Sequence, residues 1–438
     1  MITTATVKPK ALSGEICAIP SKSHVHRLLI ASSLADKHCF IPCGVLSGDI
    51  SATCACLSAL GAGIEIRDGG IYVTPLTRDE FGRPFGTNSP VLECGESGST
   101  YRFIAPVICA TGKGGAFLLK GRLAHRPMDE LWRALESHGC SVSGKGKDRV
   151  ELSGVLTPGD YKIRGDISSQ FLSGLLFALP LLGGGSNIVV EGEIMSKGYV
   201  ERTLKTLRFF CVDVSFDKDN NTFSVKGEQS YSLPFSGGGE TPVLSPVGDY
   251  SNSAFWLCAA AAGGGDIAMS GLPTDSSQVD SEVLEILRRF GAGVSRADGK
   301  ITVTKQKLKG ITIDAGDIPD LVMPLAAVAA AAEGISVFKN VSRLKLKESD
   351  RLDAVRDTIN SLGGKASHNG NELVIRGTGR IKGGRADSHG DHRIVMMAAI
   401  LSVIAEGDIV ITGADDVGKS YPNFFSDFEK LGGSVTLN

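Results

Sequence analysis

The feature that most constrains this fold is a repeat of helix beginnings. At six places, spaced about 70–80 residues apart, a short polar motif precedes an apolar run of helical length. The motifs are Ser21-Lys22-Ser23, Ser97-Gly98-Ser99, Ser168-Ser169-Gln170, Asp249-Tyr250-Ser251, Pro319-Asp320 and Asp391-His392-Arg393. One such motif is only an N-cap, but six in step predict six helix N-termini that face one place. Because helix N-termini carry unpaired N–H groups and a partial positive charge, that place is expected to bind anions.

A second repeat alternates with the first. Six amphipathic runs end in a stop, and Gly past a helix end supplies the left-handed cap. The stops are Leu60-Gly61-Ala62-Gly63, His138-Gly139-Cys140, Phe210-Cys211, Phe290-Gly291-Ala292-Gly293, Leu362-Gly363-Gly364 and Leu431-Gly432-Gly433. The third lacks Gly and is the weakest member. After each of the first five, alternation around a polar turn predicts a hairpin, as in Ile64–Ile66, Asp68-Gly69-Gly70 and Ile71–Val73.

Each repeat therefore predicts a buried helix, a strand, a surface helix and a hairpin, which is an α/β (α+β) arrangement. The sixth hairpin is cut short after Val435-Thr436-Leu437, and the alternating segment Ile2–Val7 can supply its return strand. This pairing predicts an outer domain formed by both chain ends, residues 1–20 plus 243–438. The inserted domain is then 21–242, with the crossover in Gly227 to Pro246, a stretch rich in Ser, Gly and Pro.

Composition excludes several classes of protein. The chain has 438 residues, 42% hydrophobic and 21% charged, with a formal net charge of -2, so a general nucleic-acid binder is not expected. Cys54-x-Cys56 and His38-Cys39 have the wrong spacing for zinc, which predicts reduced, mostly buried thiols in a cytoplasmic protein and no metal site. The longest apolar stretch, Phe171 to Val190, is interrupted by Pro180 and a Gly triplet, so no membrane span is expected.

Two patterns allow other interpretations. A repeat solenoid without catalytic activity is one, but solenoids do not place polar groups at the start of interior helices such as Leu321–Ala332 and Ile394–Ile404. The other is Gly413-x4-Gly418-Lys419-Ser420, which matches the phosphate-binding loop of NTPases. Only 18 residues follow Ser420, too few for the parallel strands and acidic metal ligand of an NTPase. Lys419 is still expected to meet an anion.

Charged residues cluster around the helix beginnings. Arg122-x3-Arg126-Pro127 places two guanidinium groups before a helix, with Pro127 expected in its first turn, and Arg matches phosphate and carboxylate oxygens bidentately. A solvated loop is the alternative. Lys22 and Arg27 flanking an N-cap Ser could likewise be surface cations, and the segment 347–351 could be a capped, salt-bridged helix start.

Taken together, the motifs resemble those of the 5-enolpyruvylshikimate-3-phosphate synthase family of enolpyruvyl transferases, in order along the whole chain. The carriers are Pro20-Ser21-Lys22-Ser23-x3-Arg27, Glu96-Ser97-Gly98-Ser99-Thr100-x-Arg102, Arg122-x3-Arg126-Pro127, Ser168-Ser169-Gln170, Ser196-Lys197-x-Tyr199, Ile318-Pro319-Asp320, Lys347-Glu348-x-Asp350-Arg351, Gly390-Asp391-His392-Arg393 and Lys419. The resemblance implies a two-domain inside-out α/β barrel with three βαβαββ repeats per domain. It also implies an active site in the cleft between the domains and no metal or organic cofactor.

The resemblance further implies the substrates, the reaction and the site. Phosphoenolpyruvate would be held by Lys22, Gly98, Arg126, Arg351, Arg393 and Lys419. Shikimate 3-phosphate would be held by Ser23, Arg27, Ser168, Ser169, Gln170, Ser196, Tyr199, Asp320 and Lys347. The 5-hydroxyl adds to C2 of phosphoenolpyruvate while C3 gains a proton, and the tetrahedral intermediate loses phosphate. Asp320 is the implied base for the hydroxyl, and Glu348 with Lys22 the proton-transfer groups; the division of these roles is open.

Two related functions remain as alternatives. The sister enzymes that act on UDP-N-acetylglucosamine share the fold, but they usually carry a Cys in the loop that reads Gly121-Arg122-Leu123-Ala124-His125 here. A non-catalytic ligand-binding relative would lack Asp320 or Glu348, and both are present. The expectation is therefore a cytoplasmic, monomeric enzyme of the shikimate pathway that acts on small molecules, without nucleic-acid or membrane partners.

Overall fold

The structure, a computed structural model, describes residues 3–78, 84–85, 89–234, 240–274 and 278–438. Two sequence expectations fall partly outside these ranges. They are Ile2 of the predicted N-terminal strand and residues 235–239 of the predicted crossover.

The predicted helix beginnings are confirmed. The helices are α1 Lys22–Ser33, α2 Gly48–Leu60, α3 Gly98–Ala110, α4 Asp129–Glu136, α5 Ser169–Ala178, α6 Lys197–Phe209, α7 Tyr250–Gly263, α8 Val283–Phe290, α9 Val322–Ala331, α10 Arg351–Ser361, α11 His392–Leu401 and α12 Phe424–Lys430. Each polar motif begins one of the odd-numbered helices. The side chains of Ser97, Ser168, Asp249 and Asp391 accept a hydrogen bond from a backbone N–H of the first turn. Before α9 the motif forms a 3-10 turn, Pro319–Leu321.

The predicted helix stops all take the left-handed conformation. Gly61, Gly139, Gly291, Gly363 and Gly432 have positive φ. The stop without Gly does the same, because Cys211 adopts φ 60. The third repeat therefore closes its helix like the others, although a residue with a Cβ is strained in this conformation.

The strands are β1 Thr4–Val7, β2 Gly14–Cys17, β3 Cys39–Pro42, β4 Gly63–Arg67, β5 Gly70–Thr74, β6 Thr77–Arg78, β7 Pro84–Phe85, β8 Val91–Gly95, β9 Gly115–Leu119, β10 Cys140–Ser143, β11 Arg149–Gly154, β12 Asp160–Arg164, β13 Ser186–Glu191, β14 Val214–Asp217, β15 Thr222–Val225, β16 Ile267–Ser270, β17 Gly293–Ala297, β18 Lys300–Thr304, β19 Thr312–Asp314, β20 Gly334–Lys339, β21 Ala366–His368, β22 Glu372–Gly377, β23 Gly384–Asp387, β24 Ile409–Thr412 and β25 Val435–Leu437. Among the described residues, five four-stranded sheets repeat one pattern, whereas the sheet β3-β5-β4 has three strands and β6-β7 has two. In the sheet β10-β11-β9-β8, for example, β8 and β9 are parallel and the hairpin β10-β11 pairs antiparallel with β9. The buried helix α3 connects the parallel strands β8 and β9, and this crossover begins the βαβαββ unit.

The predicted pairing of the two chain ends is confirmed. Strand β1 lies between β24 and β25 and is antiparallel to both. A second N-terminal strand, which the pattern did not reveal, performs another role: β2 pairs in parallel with β16 and completes the fourth repeat. Segments from the N-terminal 20 residues thus finish two sheets of the later repeats.

The chain divides into two compact units. One comprises Met1–Ile19 with Val247–Asn438, and the other comprises Pro20–Pro246. Each has its own hydrophobic core. Compared with the predicted boundaries, Pro20 and residues 243–246 belong to the second unit. Residues 243–246 do so because Val243 bridges in parallel to Phe40 and the N–H of Leu244 donates to the carbonyl of Phe40.

One local prediction is wrong. Pro127 does not lie in the first turn of a helix, because α4 begins at Asp129 and its N-cap Met128 has a non-helical backbone. The carbonyl of Pro127 instead accepts a hydrogen bond from Nη2 of Arg102 at 3.1 Å. The segment between Arg126 and α4 therefore anchors a side chain of α3.

The remaining sequence expectations concern thiols, membranes and metals. All ten cysteines are free, and only Cys17 and Cys211 are exposed, which confirms the predicted buried thiols. No helix within the described ranges is long and apolar enough to cross a membrane. Nor do those ranges contain a cluster of three or more His, Cys, Asp or Glu side chains arranged to hold a metal ion.

Candidate active site

Lys22 is joined to the beginnings of two other helices. It is the first residue of α1, and its Nζ lies 2.6 Å from Oδ2 of Asp49, the second residue of α2. Oγ1 of Thr100 in α3 lies 3.4 Å from the carbonyl oxygen of Asp49 and 2.7 Å from Oγ of the cap Ser97, so its hydroxyl group can donate to either. Three helix N-termini thus meet around one ion pair.

Two guanidinium groups lie against the first residue of α3. A Cβ at Gly98 would be 2.9 Å from Nη1 of Arg126 and 3.0 Å from Nη1 of Arg102. Only Gly lets both cations approach this helix end so closely. The unpaired N–H groups of a helix N-terminus beside two guanidinium groups form a site for an anion such as a phosphate or carboxylate.

Hydrogen bonds connect the beginning of α5 to the anion site at the start of α3. Nη1 of Arg102 donates to Oε1 of Gln170 at 2.7 Å, and Nε2 of Gln170 donates to Oγ of Ser99 at 2.9 Å. Ser168 is the N-cap of α5, and Ser169 is its buried first residue. The structure therefore brings Gly98, Ser168, Ser169 and Gln170 together, as the sequence predicts.

Arg27 is a buried residue whose side chain links three helices, and it is not a surface cation. Its guanidinium donates to the carbonyls of Ser23 at 2.6 Å and Tyr199 at 2.9 Å, and to the hydroxyl groups of Thr203 at 2.8 Å and Ser173 at 3.3 Å. These bonds link α1 to α5 and α6. They also hold Ser23 and Tyr199 near each other, and Ser196, in the left-handed conformation, starts α6 beside them.

Positive charge is concentrated around Arg27. Burial, and after it the nearby Arg202 and Arg27, lower the pKa of His24 to about 3. Burial and then Arg202 also lower the pKa of Arg27. Since two buried guanidinium groups repel each other, an anion that binds here is stabilised by both.

The Met1–Ile19 and Val247–Asn438 unit holds a second charged cluster, centred on Arg351. This side chain is 1% exposed, and its guanidinium contacts three carboxylates: Asp320 at 2.8 Å, Glu348 at 2.7 Å and Asp391 at 2.7 Å. The expected capped helix start is also present, because Asp350 accepts hydrogen bonds from the N–H groups of Leu352 and Asp353. Capping and charge clustering therefore coexist at the beginning of α10.

Asp320 is surrounded by cations. Besides Arg351, Nζ of Lys347 lies 3.6 Å from its Oδ1, and Nη2 of Arg393 lies 3.5 Å from its Oδ2. Burial would raise the pKa of Asp320, but Arg393, Lys347 and Arg351 outweigh burial and hold the pKa well below its usual value. Asp320 is therefore a carboxylate at neutral pH, with its proton affinity set by neighbouring cations.

Lys347 is perturbed in the opposite sense. Its pKa is lowered to about 8, because burial, together with Arg351, outweighs the opposing effect of Asp320. Its side chain keeps 22% of its surface exposed, so a ligand can reach it. Lys347 is thus an ammonium group close to losing its proton near neutral pH.

Lys419 lies at the end of the 3-10 turn Ala414–Lys419, not in a phosphate-binding loop followed by a long helix. Strand β24 precedes this turn, but the next helix, α12, spans only Phe424–Lys430. The adjacent Ser420 donates to Oδ1 of Asn252 at 3.4 Å, which connects the turn to the beginning of α7. This local structure disfavours the NTPase interpretation.

Sequence reasoning missed several members of the two clusters. Asp49, Thr203 and Arg202 were not among the expected residues, and neither was Asp280, a buried carboxylate near Ser251. Only Asp49 carried a local signal, because Ser47-Gly48-Asp49 is itself a polar helix beginning. The others lie inside helices or in a loop and become neighbours only through the fold.

The protein is built from repeated βαβαββ units, with charged clusters at the beginnings of their buried helices. A family model described as EPSP synthase (3-phosphoshikimate 1-carboxyvinyltransferase) matches residues 6–428. A 3-phosphoshikimate 1-carboxyvinyltransferase of Clostridium kluyveri is 37% identical over 433 residues, covering 98% of this chain and 97% of that protein. One of Brachyspira hyodysenteriae is 38% identical over 436 residues, covering 99% of each.

A solved structure has the same fold. EPSP synthase from Acinetobacter baumannii superposes with a TM-score of 0.81 and 23% identity over 100% of both chains. The chain belongs to the EPSP synthase family, and the two-domain inside-out fold expected from the sequence is the fold of its structural neighbours. The sister UDP-N-acetylglucosamine enzymes are therefore not favoured.

Proposed function

We propose that this chain is a 3-phosphoshikimate 1-carboxyvinyltransferase. It transfers the enolpyruvyl group of phosphoenolpyruvate to the 5-hydroxyl of shikimate 3-phosphate and releases phosphate. The observation that carries the proposal is Asp320, an ionised carboxylate held among three cations in a chain that belongs to this family.

The Pro20–Pro246 cluster contributes anion binding. Gly98, Arg126 and Lys22 bind phosphoenolpyruvate, because they combine a helix N-terminus with a guanidinium and an ammonium group. Ser23, Arg27, Tyr199 and Ser196, with the Ser168-Ser169-Gln170 beginning of α5, bind or position shikimate 3-phosphate. Each charge-assisted hydrogen bond contributes roughly 1.5–3 kcal/mol.

The second cluster contributes the chemistry. Asp320 takes the proton of the attacking hydroxyl, while Glu348 and Lys22 serve proton transfer at C3 of phosphoenolpyruvate. Arg351, Arg393 and Lys419 bind phosphoenolpyruvate, and Lys347 binds shikimate 3-phosphate.

The ion pairs of Asp320 explain how a weak base becomes effective. Without substrate, Lys347 and Arg393 stabilise the carboxylate and lower its proton affinity. Anionic substrates that take over these cations remove that stabilisation, so the pKa of Asp320 rises when a proton must be accepted. Substrate charge thereby activates the base.

Phosphate release is the direct test. Purified protein is mixed with phosphoenolpyruvate and either shikimate 3-phosphate or UDP-N-acetylglucosamine, and inorganic phosphate is measured over time. Release with shikimate 3-phosphate alone is expected. Release only with the nucleotide sugar, or with neither acceptor, would refute the proposal.

A variant pair tests the role of Asp320. Asp320→Asn keeps the shape but removes the base, and kcat should fall by about 10²–10⁴-fold while shikimate 3-phosphate still binds. Asp314→Asn is the matched control, because Asp314 lies at an exposed end of β19, where its carboxylate accepts hydrogen bonds from Asn340 and from the N–H of Gly316. A near-normal rate for Asp320→Asn would remove this residue from the mechanism.

A monomeric state and a cytoplasmic location complete the proposal. Light scattering coupled to size-exclusion chromatography tests the first, with 45.9 kDa expected for the monomer. Fractionation of the source cells tests the second.

A further inference from the structure

A second buried carboxylate, that of Asp280, interacts electrostatically with the proposed base Asp320. Asp280, in the 3-10 turn Val279–Glu282, is 3% exposed, and Oγ of Ser251 at the beginning of α7 donates to its Oδ2. Burying a carboxylate is costly unless charge or hydrogen bonds compensate. The neighbourhood of Asp280 therefore indicates what its charge is for.

Asp280 is connected to the proposed base through one guanidinium. Nη1 of Arg393 lies 3.4 Å from the carbonyl of Ser251 and 3.4 Å from the carbonyl of Asp320, and Nη2 lies 3.5 Å from Oδ2 of Asp320. Arg393 thus bridges α7, which Asp280 supports, and the turn that carries Asp320. Asp280 is linked to this guanidinium through Ser251, whose hydroxyl donates to Asp280 and whose carbonyl accepts from Arg393.

The turn that carries Asp280 is held by the residue before it, Gln278. Nε2 of Gln278 donates to the carbonyl of Gly248 at 2.5 Å, and its Oε1 accepts from the N–H of Tyr250 at 3.2 Å. These bonds attach the start of the turn to the segment that enters α7. Asp280 consequently keeps a defined position relative to Ser251 and Arg393.

The electrostatic coupling is direct. The pKa of Asp280 is raised to about 6, because burial, Asp320 and, to a smaller extent, Asp249 outweigh the opposing effects of Ser251 and Arg393. Because the repulsion is mutual, a charged Asp280 also disfavours the ionised form of Asp320. It therefore offsets part of the effect of the three cations on the base.

We propose that Asp280 is a positioning residue for the reaction, which holds Arg393 towards Ser251 and so keeps this guanidinium from pairing fully with Asp320. This inference rests on the proposed function and adds a residue to it. With Asp280 neutral, Arg393 would move towards Asp320, and the base would lose proton affinity.

Asp280→Asn separates charge from hydrogen bonding. The amide oxygen still accepts from Ser251, so a merely structural role would be preserved. Under the proposal kcat falls about tenfold, and the acid limb of the kcat/KM profile moves about one unit to lower pH. The KM for phosphoenolpyruvate should change less than kcat, since Arg393 remains present.

Controls make the result decisive. Glu282→Gln removes an exposed carboxylate from the same turn and should leave kcat and the acid limb unchanged. If Asp280→Asn does not fold, Ser251→Ala is measured instead; it weakens the same link and should move the limb in the same direction by less.

The outcomes distinguish the two proposals. Absence of turnover by the unaltered protein would refute the function itself. With an active parent protein, a folded Asp280→Asn variant whose kcat and acid limb match the parent would refute the inference alone. A lowered melting temperature with an unmoved limb would also refute it, because that result assigns Asp280 a purely structural role.

Discussion

Replacing Arg351 with Met should destabilise one unit of this protein far more than replacing an exposed Arg on the same helix. The Arg351 guanidinium is the common partner of Asp320, Glu348 and Asp391, and Asp391 is fully buried. Breaking a buried ion pair typically costs about 3–5 kcal/mol. Asp391 keeps donors from Ser349 and the N–H of Arg393, so the lower end, about 3 kcal/mol, is expected.

The matched control is Arg356→Met. Arg356 also lies in α10 and pairs with two carboxylates, Asp353 and Asp357, but its side chain is 34% exposed and those of its partners are nearly half exposed. Exposed pairs are typically worth about 0–1 kcal/mol. The difference between the two variants therefore isolates burial from the loss of a guanidinium.

Tryptophan fluorescence can follow the affected unit alone. The chain has two tryptophans, Trp132 in α4 of the Pro20–Pro246 unit and Trp256 in α7 of the other. In a Trp132→Phe background, urea unfolding reports only on the unit that holds Arg351. With a slope of about 2 kcal/mol per molar urea, the midpoint should fall by about 1.5 M.

The loss of unfolding free energy caused by Arg351→Met, here called the deficit, should also depend on pH. Burial would raise the pKa of Asp391, but Arg351 and His392 hold it below the usual 3.8, so its ionised form stabilises the fold above that pH and the stabilisation is lost on acidification. Without Arg351 the burial effect dominates, and the ionised carboxylate becomes destabilising. The deficit should therefore shrink as pH falls from 7 towards 4. A midpoint shift no larger than that of Arg356→Met, or equal deficits at both pH values, would contradict this reasoning.

Two further predictions concern substrate binding. Gly98→Ala should raise the KM for phosphoenolpyruvate about tenfold, because the new Cβ pushes the Arg126 guanidinium out of place at the start of α3. The control Gly183→Ala, at a position where nothing lies within 4 Å of the added Cβ, should leave this KM unchanged. A KM within twofold of the parent for Gly98→Ala would count against the proposed anion site. The kcat/KM for shikimate 3-phosphate should fall above about pH 8 as Lys347 loses its proton, whereas Lys347→Arg should stay flat to about pH 10; equal declines in both proteins would assign the transition to another group.

The repeat was visible in the sequence because its signals are local. An N-cap such as Ser97 or Asp391 and a left-handed stop such as Gly291 act within one turn of helix, so their residue types are legible in order. Cys211 shows the limit of this rule. It takes the same backbone conformation as the Gly residues, since the surrounding repeat imposes it.

Contacts between residues far apart in the sequence were harder to predict. The alternation of β1 was clear, but β2 is a short strand whose single buried residue, Ile16, gives no alternating pattern, so its pairing with β16 could not be predicted. The ion pair of Lys22 with Asp49 and the three carboxylates around Arg351 join residues separated by up to 40 positions. Sequence could show that these groups carry charge, but only the fold shows which charges neutralise each other.

The position of β1 has a consequence for the order of events on the ribosome. Residues 4–7 are translated long before residues 409–412 and 435–437, which are their neighbours in the sheet. At about 5–20 residues per second, the nascent N-terminal strand waits tens of seconds for these neighbours. The Pro20–Pro246 unit is continuous and can mature during that interval, so translation itself separates an early-folding part of the protein from one that closes last.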